Sequence, residues 1–133
     1  MGMLDWLNRV VGRDLDRRVS GATGTAQGRY DSLADDEPLV VRAHLGDGQR
    51  GTLVVRAPPR EEHGEGTLTV ELGPGRDLRG GALAVEAEVT GGGHGLAALV
   101  VVLSQPRGSD TYSVEARPDE HGRAHLRLSI QLG

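Results

Sequence analysis

From Leu39 onward, apolar and polar residues alternate in short runs that are separated by glycine, proline and aspartate. A period of two is typical of a β-strand with one buried face, because successive side chains point to opposite sides of the strand. The pattern predicts seven strands, and their first apolar residues are Leu39, Leu53, Leu68, Leu83, Leu96, Tyr112 and Ala124.

Two of these runs stand apart from the others. In the last run, Ala124–Leu132, every second residue is apolar, so that a register shift of one residue would expose the whole apolar set. Residues 96–103 have the sequence LAALVVVL, which contains no polar residue. A continuous apolar run of this length indicates a strand that is covered on both faces or that forms an interface.

Seven short strands at this spacing favour an all-β fold, a seven-stranded antiparallel β-sandwich of the immunoglobulin or fibronectin type III kind, over residues 39–133. A small β-barrel is the alternative. The segment PDEHGR, residues 118–123, resembles the final hairpin of many bacterial Ig-like modules. That resemblance implies that the last two strands pair with each other.

Residues 1–21 follow a different period and predict an amphipathic helix. Four apolar residues recur there at helical spacing, and they are Leu4, Leu7, Val11 and Leu15. Trp6, the only tryptophan, lies outside this stripe, so the apolar arc of the first two turns exceeds half of the circumference. One flat contact covers about a third of a helix surface, and the remainder needs another cover. The small and polar residues 22–38 predict a linker that follows this helix.

Composition excludes several classes of protein. Fifteen basic residues, all of them arginine, stand against nineteen acidic ones, and the formal net charge of −4 argues against general nucleic-acid binding. The absence of cysteine excludes disulfides and thiolate metal sites, and it fits a cytoplasmic protein. Charged residues interrupt any apolar core near the N-terminus, so no secretory signal is predicted.

Three groups of residues are candidates for chemistry. The first is a set of histidines, His44, His94, His121 and His125, which could form a metal site. Such a site needs three or four converging ligands. Another is a loop in which Glu61, Glu62 and His63 would have to hold perturbed pKa values for acid–base catalysis. The third is a pair of glycine clusters that lack the strand and helix context of a nucleotide-binding loop. Solvated turns explain all three better, so no metal, cofactor or catalytic residue is predicted.

The predicted helix has three interpretations: it packs on its own sandwich, it inserts into a groove of a partner protein, or it lies on a membrane surface. Its charge is too nearly balanced to favour a membrane. We expect a non-enzymatic protein–protein interaction or adaptor module, an accessory subunit of a larger bacterial assembly, which docks through Leu4, Trp6, Leu7, Val11 and Leu15.

Two other function classes stay open at this point. A sandwich that binds a small ligand or a carbohydrate is the alternative, although sugar stacking needs exposed aromatic rings and the chain has only one tryptophan and two tyrosines. An enzyme ranks third. The apolar strand at residues 96–103 would also suit an interface between copies of the chain.

Overall fold

The computed structural model describes residues 22–92 and 95–133. Within these ranges the chain forms nine strands and one helical turn: β1 (Thr23–Tyr30), β2 (Pro38–Leu45), β3 (Arg50–Ala57), β4 (Arg60–Glu65), β5 (Thr67–Pro74), α1 (Gly75–Leu78), β6 (Ala82–Gly91), β7 (Ala97–Gln105), β8 (Gly108–Ala116) and β9 (Ala124–Leu132). The all-β class is confirmed, and all seven predicted strands are present. The predicted helix and its docking residues Leu4, Trp6, Leu7, Val11 and Leu15 lie outside the described residues.

The strands form one ladder in the order β1-β9-β6-β3-β4-β5-β2-β7-β8. β1 pairs with β9 in parallel, whereas the other neighbours are antiparallel. The ladder is thinnest between β4 and β5, which share only the pair Glu65↔Thr67 on either side of Gly66. Gly66 has a φ of 71°, in the left-handed region that glycine adopts without strain. The ladder therefore divides there into two sheets, β1-β9-β6-β3-β4 and β5-β2-β7-β8.

The alternation of side chains holds the two sheets together. On β7, for example, Leu99, Val101 and Leu103 are fully buried while the residues between them are partly exposed. The inward side chains of both sheets form one cluster, which is aliphatic apart from Tyr30 among the described residues. Because an apolar sheet face has to pack against another layer, the two sheets cover each other.

The connectivity differs from the predicted seven-stranded immunoglobulin arrangement. β8 pairs with β7, and β9 pairs with β6 and β1, so the last two strands do not form a hairpin. Residues 118–123 instead carry the chain from one sheet to the other. Their turn is closed by Asp119, whose Oδ1 accepts hydrogen bonds from the backbone N–H groups of His121 at 2.8 Å and Arg123 at 2.9 Å. The hairpin prediction is wrong because this turn chemistry serves a crossover equally well.

Residues 22–38, which the sequence predicts to be a linker, contain β1 and an ordered connection. β1 pairs with β9 along its whole length, from Thr23↔His125 to Tyr30↔Leu132. The acidic residues that follow are paired with arginines, Asp36 with Arg76 at 3.0 Å and Glu37 with Arg107 at 3.0 Å. Although their composition is typical of a linker, these residues form a strand at the end of the ladder and a connection that ion pairs hold against the rest of the fold.

Side chains close the gap between β1 and β8, the two ends of the ladder. The hydroxyl of Tyr112 on β8 donates a hydrogen bond to the carbonyl of Arg29 on β1 at 2.8 Å. The ring of Tyr112 occupies the space beside Gly28. Burial, followed by the nearby carboxylate of Asp110, raises the pKa of Tyr112, which therefore stays neutral and able to donate. The sandwich is nearly continuous around its circumference.

Gln105, at the end of β7, is the only buried polar residue among those described. Its Oε1 accepts hydrogen bonds from the backbone N–H of Ala34 at 2.9 Å and the hydroxyl of Tyr30 at 3.3 Å. Its Nε2 donates to the carbonyls of Ala34 at 3.0 Å and Glu37 at 2.9 Å. The amide thus makes the four hydrogen bonds that its two donors and its acceptor oxygen allow, and it fixes the β1–β2 connection to β7.

We expect Gln105→Leu to lower the free energy of unfolding by about 2 to 4 kcal/mol, because it leaves buried backbone groups of Ala34 and Glu37 without partners. Urea denaturation followed by circular dichroism measures the change. Ser104→Ala, which alters the outward neighbour of Gln105, is the control and should stay within about 0.5 kcal/mol of the wild type. Equal midpoints for the two variants would show that the amide network contributes nothing to stability.

We expect Gly28→Ala to destabilise the protein by about 1 to 3 kcal/mol through overpacking. A Cβ at this position would stand 2.8 Å and 2.9 Å from two ring atoms of Tyr112, so the ring would have to move. In a Tyr112→Ala background, the cost of Gly28→Ala should largely disappear. A double-mutant cycle in urea measures this coupling, and additive effects would contradict the proposed ring contact.

Candidate interaction surface

The two sheets expose outward faces of different chemistry. One face, on β3, β4, β6 and β9, carries a network of ion pairs; we call it the charged face and define it by Arg56, Glu61, His63, Glu86, His125 and Arg127. The other face, on β5, β2, β7 and β8, is mainly valine, threonine and serine. We call its apolar centre the valine face and define it by Val40, Ala98, Val100 and Val102.

Arg56 on β3 lies at the centre of the charged face. Its guanidinium donates to Glu86 and, through Nε, to Oε1 of Glu61 at 3.0 Å. The second oxygen of Glu61 lies 2.9 Å from Nε2 of His63. These contacts, first with His63 and then with Arg56, lower the pKa of Glu61. Exposed ion pairs contribute little to stability. We therefore interpret this network as an ordinary solvent-exposed sheet face.

Glu61, Glu62 and His63 lie on β4 rather than in the loop that their flanking proline and glycine residues predict. Glu61 and His63 share the outward side, whereas Glu62 points the other way and lies 3.5 Å from Nε of Arg60. A general acid at neutral pH needs a raised carboxyl pKa, and the pKa of Glu61 is lowered. The three residues therefore do not form the carboxylate pair that the catalytic hypothesis needs.

The histidines that the metal hypothesis would bring together are dispersed. His125 lies on the charged face, 3.5 Å from Glu86, and His121 lies in the connection before β9. His44 is on β2 of the other sheet, and His94 lies outside the described residues. Across residues 22–92 and 95–133, no group of three or more metal-ligating side chains is close enough to hold an ion.

The valine face is built around β7, the inner strand of three in its part of the sheet. Val100 is paired with His44 on β2 and with Ser113 on β8, and Val102 is paired with Thr111 on β8. The valines are partly exposed, and the polar side chains around them are short and uncharged on the β8 side. The result is an apolar centre with a polar border.

β7 is the strand that the uninterrupted apolar run predicts. Its odd-numbered residues from Ala97 to Gln105 are buried, and its even-numbered residues face outward. Leu96, one step before the strand, continues the outward row and is 49% exposed, the only large hydrophobic residue exposed to this degree in the described part of the chain. No element of residues 22–92 or 95–133 covers this outward row.

A cavity of 190 Å³ lies at the end of the sandwich where β1 and β7 end, between Tyr30, Gln105 and Arg107. It is smaller than the roughly 300 to 1,000 Å³ that is usual for a small-molecule site. Tyr30 is only 3% exposed, and the ring of Tyr112 packs against Gly28. The ring of Tyr30 is therefore closed to a sugar, and the ring of Tyr112 is packed on its Gly28 side.

Comparisons with known proteins add no identity to this geometry. No family model matches the chain, and no curated protein or solved structure is significantly similar to it. None of the helical structure in the described ranges is long and apolar enough to cross a lipid bilayer. The contrast between the two outward faces is therefore the feature from which a function is argued.

Proposed function

We propose that the protein is a non-enzymatic protein-interaction module, an accessory subunit of a larger bacterial assembly, and that the valine face is the surface through which its sandwich contacts a partner protein. One observation carries this proposal. The outward row of β7 is apolar where the outward face of the other sheet is charged and ion-paired.

The composition of the valine face is typical of a contact surface. Interfaces have an apolar centre from which charged residues are depleted and a polar rim that stays in contact with water. Here the centre is the valine face, and the flanking strands present the polar residues Thr67, Thr69, Thr111 and Ser113 together with the charged residues Arg42, Glu71 and Glu115. The preference of valine for β-strands does not by itself account for the apolar outward row of β7. β6 is also a strand, and its outward positions include Glu86 and Glu88.

Other parts of the expected function remain predictions. Docking through Leu4, Trp6, Leu7, Val11 and Leu15 falls on residues outside the described ranges, and the cytoplasmic location rests on the sequence alone. The valine face adds a second candidate contact surface, which lies entirely within described residues and is open to direct mutation.

We expect Val100→Arg to abolish partner binding, because it places a charge at the centre of the apolar surface. Val54→Arg is the matched control, since Val54 is a partly exposed outward valine on β3 of the other sheet, paired with His63. Affinity capture with each full-length chain, quantified by mass spectrometry, should show a protein that the wild type and Val54→Arg retain and Val100→Arg loses. The same proteins captured by all three chains would contradict the proposal.

A further inference from the structure

We propose that the free edge of β5 binds an extended segment of a partner protein, which joins the sheet as a further strand. The segment carries an apolar residue at every second position and arginine or lysine at the positions between them. This inference goes beyond the proposed function, because the valine face is the outward surface of a sheet, whereas strand addition uses the backbone at the border of that sheet.

The backbone of β5 is paired along one side only. β2 pairs with β5 over nearly its whole length, whereas β4 shares with it the single pair Glu65↔Thr67. No other strand of residues 22–92 or 95–133 pairs with β5. A strand edge whose N–H and C=O groups have no strand beside them is a template for another chain.

The hydrogen bonds to β2 identify the groups that this edge presents. Residues of an antiparallel pair alternate between positions that bond to the neighbouring strand and positions whose backbone groups point away from it. The N–H of Leu45 donates to the carbonyl of Gly66 at 3.2 Å, so every second residue from Gly66 onward bonds to β2. Thr69 and Glu71 therefore direct their N–H and C=O groups to the open side.

A side chain of β4 confirms this direction. Nη1 of Arg60 donates to the carbonyl of Glu71 at 2.7 Å, and its Nε lies 3.5 Å from Oε2 of Glu62. Paired strands lie about 4.8 Å apart and bond through their backbones, so a bridge made by an arginine side chain marks the place where β4 has separated from β5. The side chain of Arg60 is 49% exposed, and exposed contacts of this kind are weak. A partner strand can therefore displace it.

The edge of β5 is better suited to strand addition than the other edges. β1 and β8 close on each other through Tyr112. β4 places Arg60 and Glu62 on its core-facing side, and inward-pointing charges oppose the addition of a strand. β5 has Leu68 and Leu72 on its core-facing side, and both are only partly buried. The inward residues of an added strand would cover these two leucines.

Charge favours a basic segment over a second copy of the chain. The carboxylates of Glu65 and Glu71 flank the edge on its outward side, and neither forms an ion pair within residues 22–92 and 95–133. Pairing of β5 with β5 of a second copy would gather the acidic residues of both copies at one border, and like charges on facing strands destabilise a sheet. Arginine or lysine at the outward positions of an added strand would neutralise them.

A synthetic peptide tests the edge directly. The probe is a fluorescently labelled peptide of about seven residues in which arginine and valine alternate, which at about 3.3 Å per residue spans most of β5. Fluorescence anisotropy with the full-length protein should show saturable binding. A peptide of the same composition, with its arginines in one block and its valines in another, should bind at least about tenfold more weakly. Equal binding of the two peptides, or no binding of the alternating one, would overturn the proposal.

Thr69→Pro removes an N–H group from the open edge and leaves the bonds to β2 intact, because Thr69 does not donate to β2. We expect the alternating peptide to bind about tenfold more weakly to this variant. Thr69→Val keeps the N–H group and should bind like the wild type. Far-UV circular dichroism and the urea midpoint show whether each variant is folded. A folded Thr69→Pro with wild-type affinity would overturn the proposal.

Arg60→Ala should have the opposite effect, and it keeps the proposal testable should Thr69→Pro not fold. It frees the carbonyl of Glu71 for the added strand, so we expect binding that is about threefold tighter or more. Arg127→Ala removes the same charge from the outward side of β9, on the other sheet, and should change the affinity less. An Arg60→Ala protein that binds no more tightly than Arg127→Ala would overturn the proposal.

Hydrogen exchange measured by mass spectrometry locates the bound peptide. Binding should slow the exchange of backbone amides in residues 67–73 and leave residues 108–116 on β8 unchanged. Protection of β8 instead of β5 would overturn the proposal. Light scattering at the same protein concentration tests for self-association, and a dimer that Thr69→Pro converts to a monomer would assign the edge to a second copy and overturn it as well.

The inference and the proposed function fail separately. β2 lies between β5 and β7, so Val100→Arg should bind the alternating peptide as tightly as Val54→Arg, which carries the same added charge. The proposed function fails when no captured partner depends on Val100. The inference fails when the binding of the peptide is indifferent to Thr69 and Arg60.

Discussion

A single ladder of strands that is apolar on one side has to bury that side against itself, and this constraint organises the whole molecule. The ladder folds where β4 and β5 are joined by one residue pair, and its two ends meet where Tyr112 packs against Gly28. Most inward positions are then covered, which leaves the outward faces of the two sheets as the surfaces that differ. The point at which the chain enters beside β8 is a consequence of how the ladder closes, whereas the difference in charge follows from the residues at the outward positions of each sheet.

The sequence predicts seven strands correctly because each has a run of aliphatic residues at every second position. β1 is missed because its inward positions at 24, 26 and 28 are glycine, alanine and glycine, where the ring of Tyr112 takes up the space. β4 is missed because REEHGE has no aliphatic residue to mark a buried side. The pairing of strands is not predictable from alternation, since any inward face fits any other, and the crossover at Asp119 has the chemistry of a hairpin turn.

The candidate surface was partly visible in the sequence. The run at residues 96–103 has valines at outward positions where other strands have polar residues, and this anomaly predicts an interface strand. The face beyond β7 is not predictable, because it depends on the pairing of Val100 with Ser113 and His44, which lie on strands far apart in the sequence. Conversely, Glu61 and Glu62 are adjacent in the sequence, but their side chains point to opposite sides of β4 and do not form one site.

The parallel pairing of β1 with β9 has a mechanical consequence. The chain enters β1 at Thr23 and leaves β9 at Leu132, and these residues lie at opposite ends of the β1–β9 strand pair. A tension applied between Thr23 and Leu132 would therefore load the hydrogen bonds between β1 and β9 in shear, all at once, instead of peeling them open one by one. Separating this pair would require many hydrogen bonds to break together.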